Sequence, residues 1–325
     1  MERADAHVVT HSSFKTVVDI IVNRSEVDMQ MDFGSLLIQL FSGLSRAMML
    51  FLLASGLSLI FGVMNILNFA HATLWLLGGY ITFTIYTLLA DYFGVSIILL
   101  APSVLGATII LFAVGWAIER FLIRRMYKRE LPEQLLLTFA LILIIGDLIR
   151  VIWGVQNKRI VLPIDPLPVL GSFINPYLFV IITAGGIIAG LLWWFLTHSR
   201  TGKIVRAAVY SRDMVSALGI KIPRVYALVF SLGVAIAAFS AGIVLPITPI
   251  GLGVDMDLIV QCFAVVVIGG FGSIAGTLVA SLLVGIVYSF SILIWPNGAL
   301  AIIFLILVVV LIWRPWGLFG TEMRF

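Results

Sequence analysis

The sequence predicts an all-α polytopic integral membrane protein with about eight to nine transmembrane spans, some of them broken helices. Three observations carry that expectation. The 325 residues are 62% hydrophobic and only 11% charged, whereas a soluble domain is about 45–50% apolar and about 25% charged. Asp, Glu, Lys and Arg are absent from 47–90, 92–118, 166–199, 225–254 and 258–313, and a span needs about 20 apolar residues, so the longest of these stretches hold two or three. Glycine and asparagine clusters interrupt two of the stretches, near Gly56–His71 and Gly269–Gly276.

In chain order, residues 1–33 form a polar N-terminal extension with Glu2, Asp5, Asp19, Glu26, Asp28 and Asp32 and no apolar core. They do not read as a signal peptide, and 14–27 could lie as an amphipathic helix on the membrane surface. Residues 34–320 form one transmembrane domain, with spans near 36–62, 70–90, 95–118, 134–153, 176–197, 225–247, 257–272, 274–294 and 298–313. Hydropathy leaves open whether 257–272 and 274–294 cross twice or form one re-entrant element. Residues 321–325 are a tail.

Orientation follows from the basic loops. Residues 119–130 hold five Lys and Arg and 198–224 hold six, together 11 of the 20. These loops are expected in the cytoplasm, with 154–175 and 248–256 outside, the C-terminus inside and the N-terminus outside. The net charge of +4 therefore points to membrane lipid rather than nucleic acid. A lone Cys262 in an apolar run excludes a disulfide framework and a cysteine metal site.

Gly270-Phe-Gly272-Ser-Ile-Ala275 has the spacing of a dinucleotide fingerprint. That fingerprint needs an acidic residue about 20 positions on for the ribose, and no Asp or Glu lies between Asp257 and Glu322. The glycines have two other readings: tight packing at a hairpin, or a break lining a pathway, for Gly269, Gly270 and Gly272. The pairs Gly276/Ala280, Ser281/Gly285, Gly233/Ala237 and Ala238/Gly242 read as small-residue faces where helix backbones approach closely.

Asn65, Asn68 and His71 are spaced three apart, which on a continuous helix is one face. They are either interhelical hydrogen-bond formers or lining of a translocation path. Arg46, Asp147 and Arg150 are further ionisable residues inside spans, the last two reading as an i, i+3 pair. Thr201-Gly202-Lys203 ends like a P-loop, but Thr197 stands where the upstream glycine belongs and Ile204 where Ser or Thr belongs. No metal, cofactor or catalytic motif is present, so the sequence reads as a transport protein rather than an enzyme. In 198–224, Lys203–Tyr210 reads as a short basic helix and Ser211 as the cap of a second one ending at Gly219. Such a pair is either a docking surface for a soluble partner or a loop drawn to anionic lipid.

Four segments carry a family resemblance: FGVMNILNFAHATLWLLGGY (61–80), RTGKIVRAAVYSRDMVSALGI (200–220), FAVVVIGGFGSIAGTLVASLLVG (263–285) and RPWGLFG (314–320). Over about 36–320 the chain resembles the permeases of branched-chain amino-acid ABC importers, the first of the two in such systems most closely. The resemblance implies an ABC importer permease-like fold and a heterodimer with a second permease. It also implies two cytoplasmic ATPase subunits and an extracytoplasmic solute-binding protein. It further implies that 201–219, with Gly202, Lys203, Arg206, Ala207, Ala208 and Gly219, is the element that couples to the ATPase. The resemblance implies that Gly usually follows the motif's His and is often followed by an acidic residue. Ala72 and Thr73 stand here, which admits urea or short amides beside branched-chain amino acids. An ion-coupled secondary transporter without an ATPase is the alternative.

Overall fold

The computed structural model describes residues 33–169 and 172–320. The expected amphipathic segment 14–27 and the tail 321–325 lie outside the described residues. The helices are α1 Phe33–Met64, α2 His71–Phe93, α3 Leu100–Phe121, α4 Leu131–Trp153, α5 Tyr177–His198, α6 Arg200–Tyr210, α7 Arg212–Ala217, α8 Ile222–Val244, α9 Val254–Gly269, α10 Ile274–Ile294 and α11 Ala299–Trp313. Between α4 and α5, strands β1 Leu167–Val169 and β2 Ser172–Ile174 pair antiparallel.

Eight helical segments among the described residues are long and apolar enough to cross a bilayer. This is an all-α polytopic membrane protein. Helix α9, the seventh span expected from sequence, has 16 residues. At 1.5 Å per residue it is about 24 Å long, short of the roughly 30 Å hydrocarbon core. Gly270 at φ 95° and Gly272 at φ 77° turn the chain between α9 and α10, a backbone conformation that glycine adopts without steric cost.

Helices α1 and α8 form the centre: their most apolar windows are 83% buried, against 17% for α5 and 22% for the segment containing α11. The small residues decide which helices meet. A Cβ on Gly56 of α1 would strike the Gly233 backbone of α8, one on Gly285 of α10 would strike Ala47 of α1, and one on Gly78 of α2 would strike Ala238 of α8. Lipid tails give helices no hydrophobic reason to associate, so backbone contact through small residues supplies the attraction. Outer helices instead present Leu191, Trp193, Trp194, Leu305, Val308 and Val309 on exposed faces, as lipid-facing surfaces do.

The bundle has two distinct ends. At the basic end lie the close of α1, the α3–α4 connection, α6, α7 and residues 314–320. The last of these return to α9, where Leu318 N donates to the Ile268 carbonyl at 2.8 Å and Phe319 N to the Gly269 carbonyl at 3.1 Å. At the far end, Lys158 and Ile250 exchange two backbone hydrogen bonds of 2.8 and 2.9 Å, and Arg159 Nε donates to the Pro246 carbonyl at 3.1 Å. The loops 154–175 and 248–256 thus share one end, as their low basic charge predicts.

Candidate functional site

Asn65, Asn68 and His71 do not share a helix face. Helix α1 stops at Met64, and residues 65–70 leave the helix before α2 begins at His71. The cause is local: Asn65 takes φ 55°, the left-handed conformation that asparagine tolerates better than other side chains and that ends a helix. His71 is fully buried and its Nε2–H donates to the Leu53 carbonyl at 3.0 Å. Leu53 lies well inside α1, so α2 starts beside the middle of its neighbour instead of at the bundle's end. Asn68 is also fully buried, and among the described residues neither its amide oxygen nor its nitrogen has a hydrogen-bond partner. Asn65 is exposed and lines a cavity of about 450 Å³ at the basic end with Gly62, Val209, Arg212 and Trp316.

Thr73, two residues after His71, donates its hydroxyl to Asp255 Oδ2 at 2.6 Å. The carboxylate comes from the first turn of α9, 6% exposed. Gly269, Gly270 and Gly272 lie in backbone contact. A Cβ on each would meet Gly276, Gly320 and Gly62 respectively. The closing RPWGLFG segment is what packs against the first two. Cys262 is buried and free.

A second cavity, of about 250 Å³, opens at the far end. One stripe of α1 lines it through Gln39, Ser42, Ser45, Arg46 and Met49, residues that fall on one face at helical spacing. The start of α5 adds Leu178 and Ile181, the end of α8 and the turn after it add Val244, Ile247 and Thr248, and α10 adds Tyr288, Ser289 and Ile292. Arg46 Nη2 donates to Gln261 Oε1 at 2.8 Å, and its Cζ lies 3.7 Å from the centroid of the Tyr288 ring. Its Nε is buried without a hydrogen-bond partner, and among the described residues no carboxylate forms an ion pair with it.

The charges of the basic end are arranged differently. Glu119 is fully buried, yet Arg124 Nη2 and Nε reach its two oxygens at 2.9 and 3.3 Å. The Tyr127 hydroxyl also donates to Glu119. The same Arg124 Nη2 lies 3.3 Å from the Pro223 carbonyl at the head of α8. Burial, and then the neighbouring Glu119, push the Tyr127 hydroxyl well above its ordinary pKa. This cluster fastens α3 to α8.

Helices α6 and α7 form where two short helices are expected, α7 behind the expected Ser211 cap and α6 behind Ser199. Ser199 Oγ accepts from Gly202 N at 2.8 Å and Ser211 Oγ from Met214 N at 3.3 Å, which satisfies amides otherwise orphaned at a helix start. Gly219 closes α7 at φ 78°. Lys203, Arg206, Ala207 and Gly219 are exposed, while Gly202 and Ala208 are buried. A Cβ on Gly202 would run into the Phe195 carbonyl of α5, so this glycine makes the corner between α5 and α6 possible. Beside the basic side chains stand exposed Tyr210, Met214 and Leu218.

A family model described as the permease component of branched-chain amino acid transport systems matches residues 39–312. The chain belongs to this family. Three relatives agree. It is 29% identical over 298 residues to the high-affinity branched-chain amino acid transport system permease protein LivH of Salmonella typhimurium, covering 87% of this chain and 94% of that one. It is 28% identical over 291 residues to BraD, the permease protein of the same kind from Pseudomonas aeruginosa, covering 87% and 95%. It is also 28% identical over 299 residues to LivH of Escherichia coli K12, covering 87% and 94%. The matched range spans the far-end cavity, the α1–α2 break and the α6–α7 pair, while Trp316 of the basic-end cavity lies just beyond it. A permease component is a transport subunit, not an enzyme.

The sequence shows α6, α7 and the Ser211 and Gly219 ends of α7, but assigns no cap to Ser199 and no role to Arg46, Gln261 and Tyr288. The one signal was a lone arginine inside an apolar span. Its partners come from helices more than 200 positions away.

Proposed function

We propose that this permease forms, with a second similar permease, the path by which branched-chain amino acids enter the cell. Two cytoplasmic ATPase subunits power it and an extracytoplasmic binding protein delivers the substrate. The observation that carries the reading is the capped α6–α7 pair, which holds Lys203, Arg206, Tyr210, Met214 and Leu218 exposed at the basic end. Basic charge with exposed aromatic and methionine side chains is a protein-docking composition. The positive-inside rule puts this end, and with it residues 314–320, in the cytoplasm.

Helix α6 touches both α5 and α1. Closure of the ATPase dimer pushes on residues 201–219, and α6 passes that push to α1. Helix α1 has 32 residues, about 48 Å of rigid rod, with Asn65 at the cytoplasmic cavity and Arg46 at the outer one. Rocking α1 against α8 and α10 alternates access between the two cavities. Buried Asn68 and His71 lie in the interruption between α1 and α2, where unwound backbone at membrane depth suits a gate. The Asp147–Arg150 pair, 3.2 Å apart and more than half exposed on the side of α4, suits a face covered by the second permease, since lipid would disfavour both charges.

Proteoliposomes holding both permeases, the ATPases and the binding protein test this. Uptake of L-leucine is expected to require ATP and to persist when ion gradients are collapsed. Arg206→Glu is expected to abolish uptake while the permease pair still assembles. Uptake that follows an ion gradient, or wild-type rates in Arg206→Glu, would overturn the reading.

A further inference from the structure

The far-end cavity has the composition of a site for one small zwitterion with an aliphatic side chain. We propose that Arg46 binds the α-carboxylate of the transported amino acid there, so that the permease itself carries a substrate site in addition to that of the binding protein. The inference rests on the transport reading above and adds to it the chemistry of the site.

A guanidinium inside a span is costly unless an anion compensates it. Among the described residues, Arg46 has only the Gln261 amide and the Tyr288 ring, both neutral. Those two contacts hold the group in place and leave Nε directed at no acceptor. A planar guanidinium takes a carboxylate through two parallel hydrogen bonds, each stronger than a neutral one. Residues elsewhere in this chain show that it can pair buried charge when stability alone is at stake, because Glu119 is matched on both oxygens.

The remaining walls complete the match. Helix α8 ends at the cavity, and the carbonyl end of a helix favours an ammonium group. Gln39 Oε1, 2.6 Å from the Ser289 hydroxyl, is a second acceptor. Met49, Leu178, Ile181, Ile247 and Ile292 supply an apolar surface for a branched aliphatic chain. A volume of about 250 Å³ is below the roughly 300–1,000 Å³ typical of drug-sized ligands, as suits a single amino acid. Urea and neutral amides would leave the guanidinium unpaired.

The test is equilibrium binding of radiolabelled L-leucine to the complete permease–ATPase complex in phosphatidylcholine nanodiscs, without the binding protein. Transport is measured in parallel on the same complex in proteoliposomes. Saturable binding is expected, displaced by L-valine but not by leucinol, which lacks the carboxylate. Arg46→Gln should weaken it about ten-fold or more, the effect of losing a charge-assisted pair, and Arg46→Lys should recover part of that loss. Ile292→Trp, which fills the cavity and leaves the guanidinium in place, should weaken L-leucine more than L-alanine. It keeps the proposal falsifiable if the Arg46 variants do not assemble. Wild-type affinity in Arg46→Gln, or unchanged affinity in Ile292→Trp, overturns the proposal, as does a complex that transports leucine with no saturable site. Binding abolished by phosphatidylglycerol would assign Arg46 to a lipid headgroup phosphate and overturn it as well. A complex with intact ATPase activity that transports no leucine would instead overturn the transport reading.

Discussion

Two arginines of this permease stand at opposite ends of the bundle and are treated in opposite ways. Arg124 is locked on both oxygens of Glu119, backed by Tyr127 and held 3.3 Å from the Pro223 carbonyl. Arg46 sits deeper within a span, on a neutral amide and an aromatic ring. A buried charge with a complete set of partners rigidifies, whereas a buried charge without an ion pair is stability surrendered for a reason. The contrast separates a structural clamp from a binding site without reference to any motif.

Substitutions at the two sites should therefore differ in sign. The largest expected effect is on transport: Arg46→Gln should nearly abolish leucine uptake while the unfolding temperature of the complex stays equal or rises, because an uncompensated charge has been removed. A marked fall in that temperature would make Arg46 a structural residue and erase the contrast. Next in size, Glu119→Ala should cost about 2 kcal/mol, since it leaves a partly buried guanidinium and a phenol without their acceptor. Thermal denaturation of the detergent-solubilised complex reads this directly. Unchanged stability would deny that the cluster fastens α3 to α8.

The smallest effect sharpens the clamp itself. Tyr127 has its pKa raised in the folded protein, so the fold holds the phenol's proton more tightly than the unfolded chain does. Its contribution is complete below about pH 10, the ordinary tyrosine value, and is lost as pH climbs beyond it. Stability should accordingly fall at alkaline pH in the parent and less steeply in Tyr127→Phe. Parallel curves would place the alkaline loss elsewhere.

Much of this was legible in the sequence, and the line between legible and hidden is physical. Spans, basic loops and caps are local or periodic signals: Ser211 before a short apolar-periodic stretch and Gly219 after it foretold α7, and the structure has the cap bond and the positive φ. The spacing of Asn65, Asn68 and His71 was read as one helix face because periodicity assumes an unbroken helix. A single left-handed residue at Asn65 cancels that assumption. The far-end cavity was hidden for a different reason. Arg46 and its two partners come one each from α1, α9 and α10, and only tertiary packing brings Arg46, Gln261 and Tyr288 together. Asp255 likewise supplies to Thr73 the carboxylate that the sequence around His71 lacks. Gly202 illustrates the converse: the family resemblance placed it among the coupling candidates, yet it is buried in a helix corner, while Lys203 and Arg206 beside it face outward.

The proposed coupling joins the two ends of the bundle mechanically through α1. It is tested most directly by the rate at which a thiol at Ser42→Cys, in a Cys262→Ala background, reacts with a membrane-impermeant reagent added from the extracytoplasmic side. The complete importer would be compared nucleotide-free and ATP-trapped. Ser42 lines the Arg46 cavity. The account predicts a rate that changes several-fold between the two states and a change that disappears in Arg206→Glu. Equal rates in both states of the active complex would contradict it.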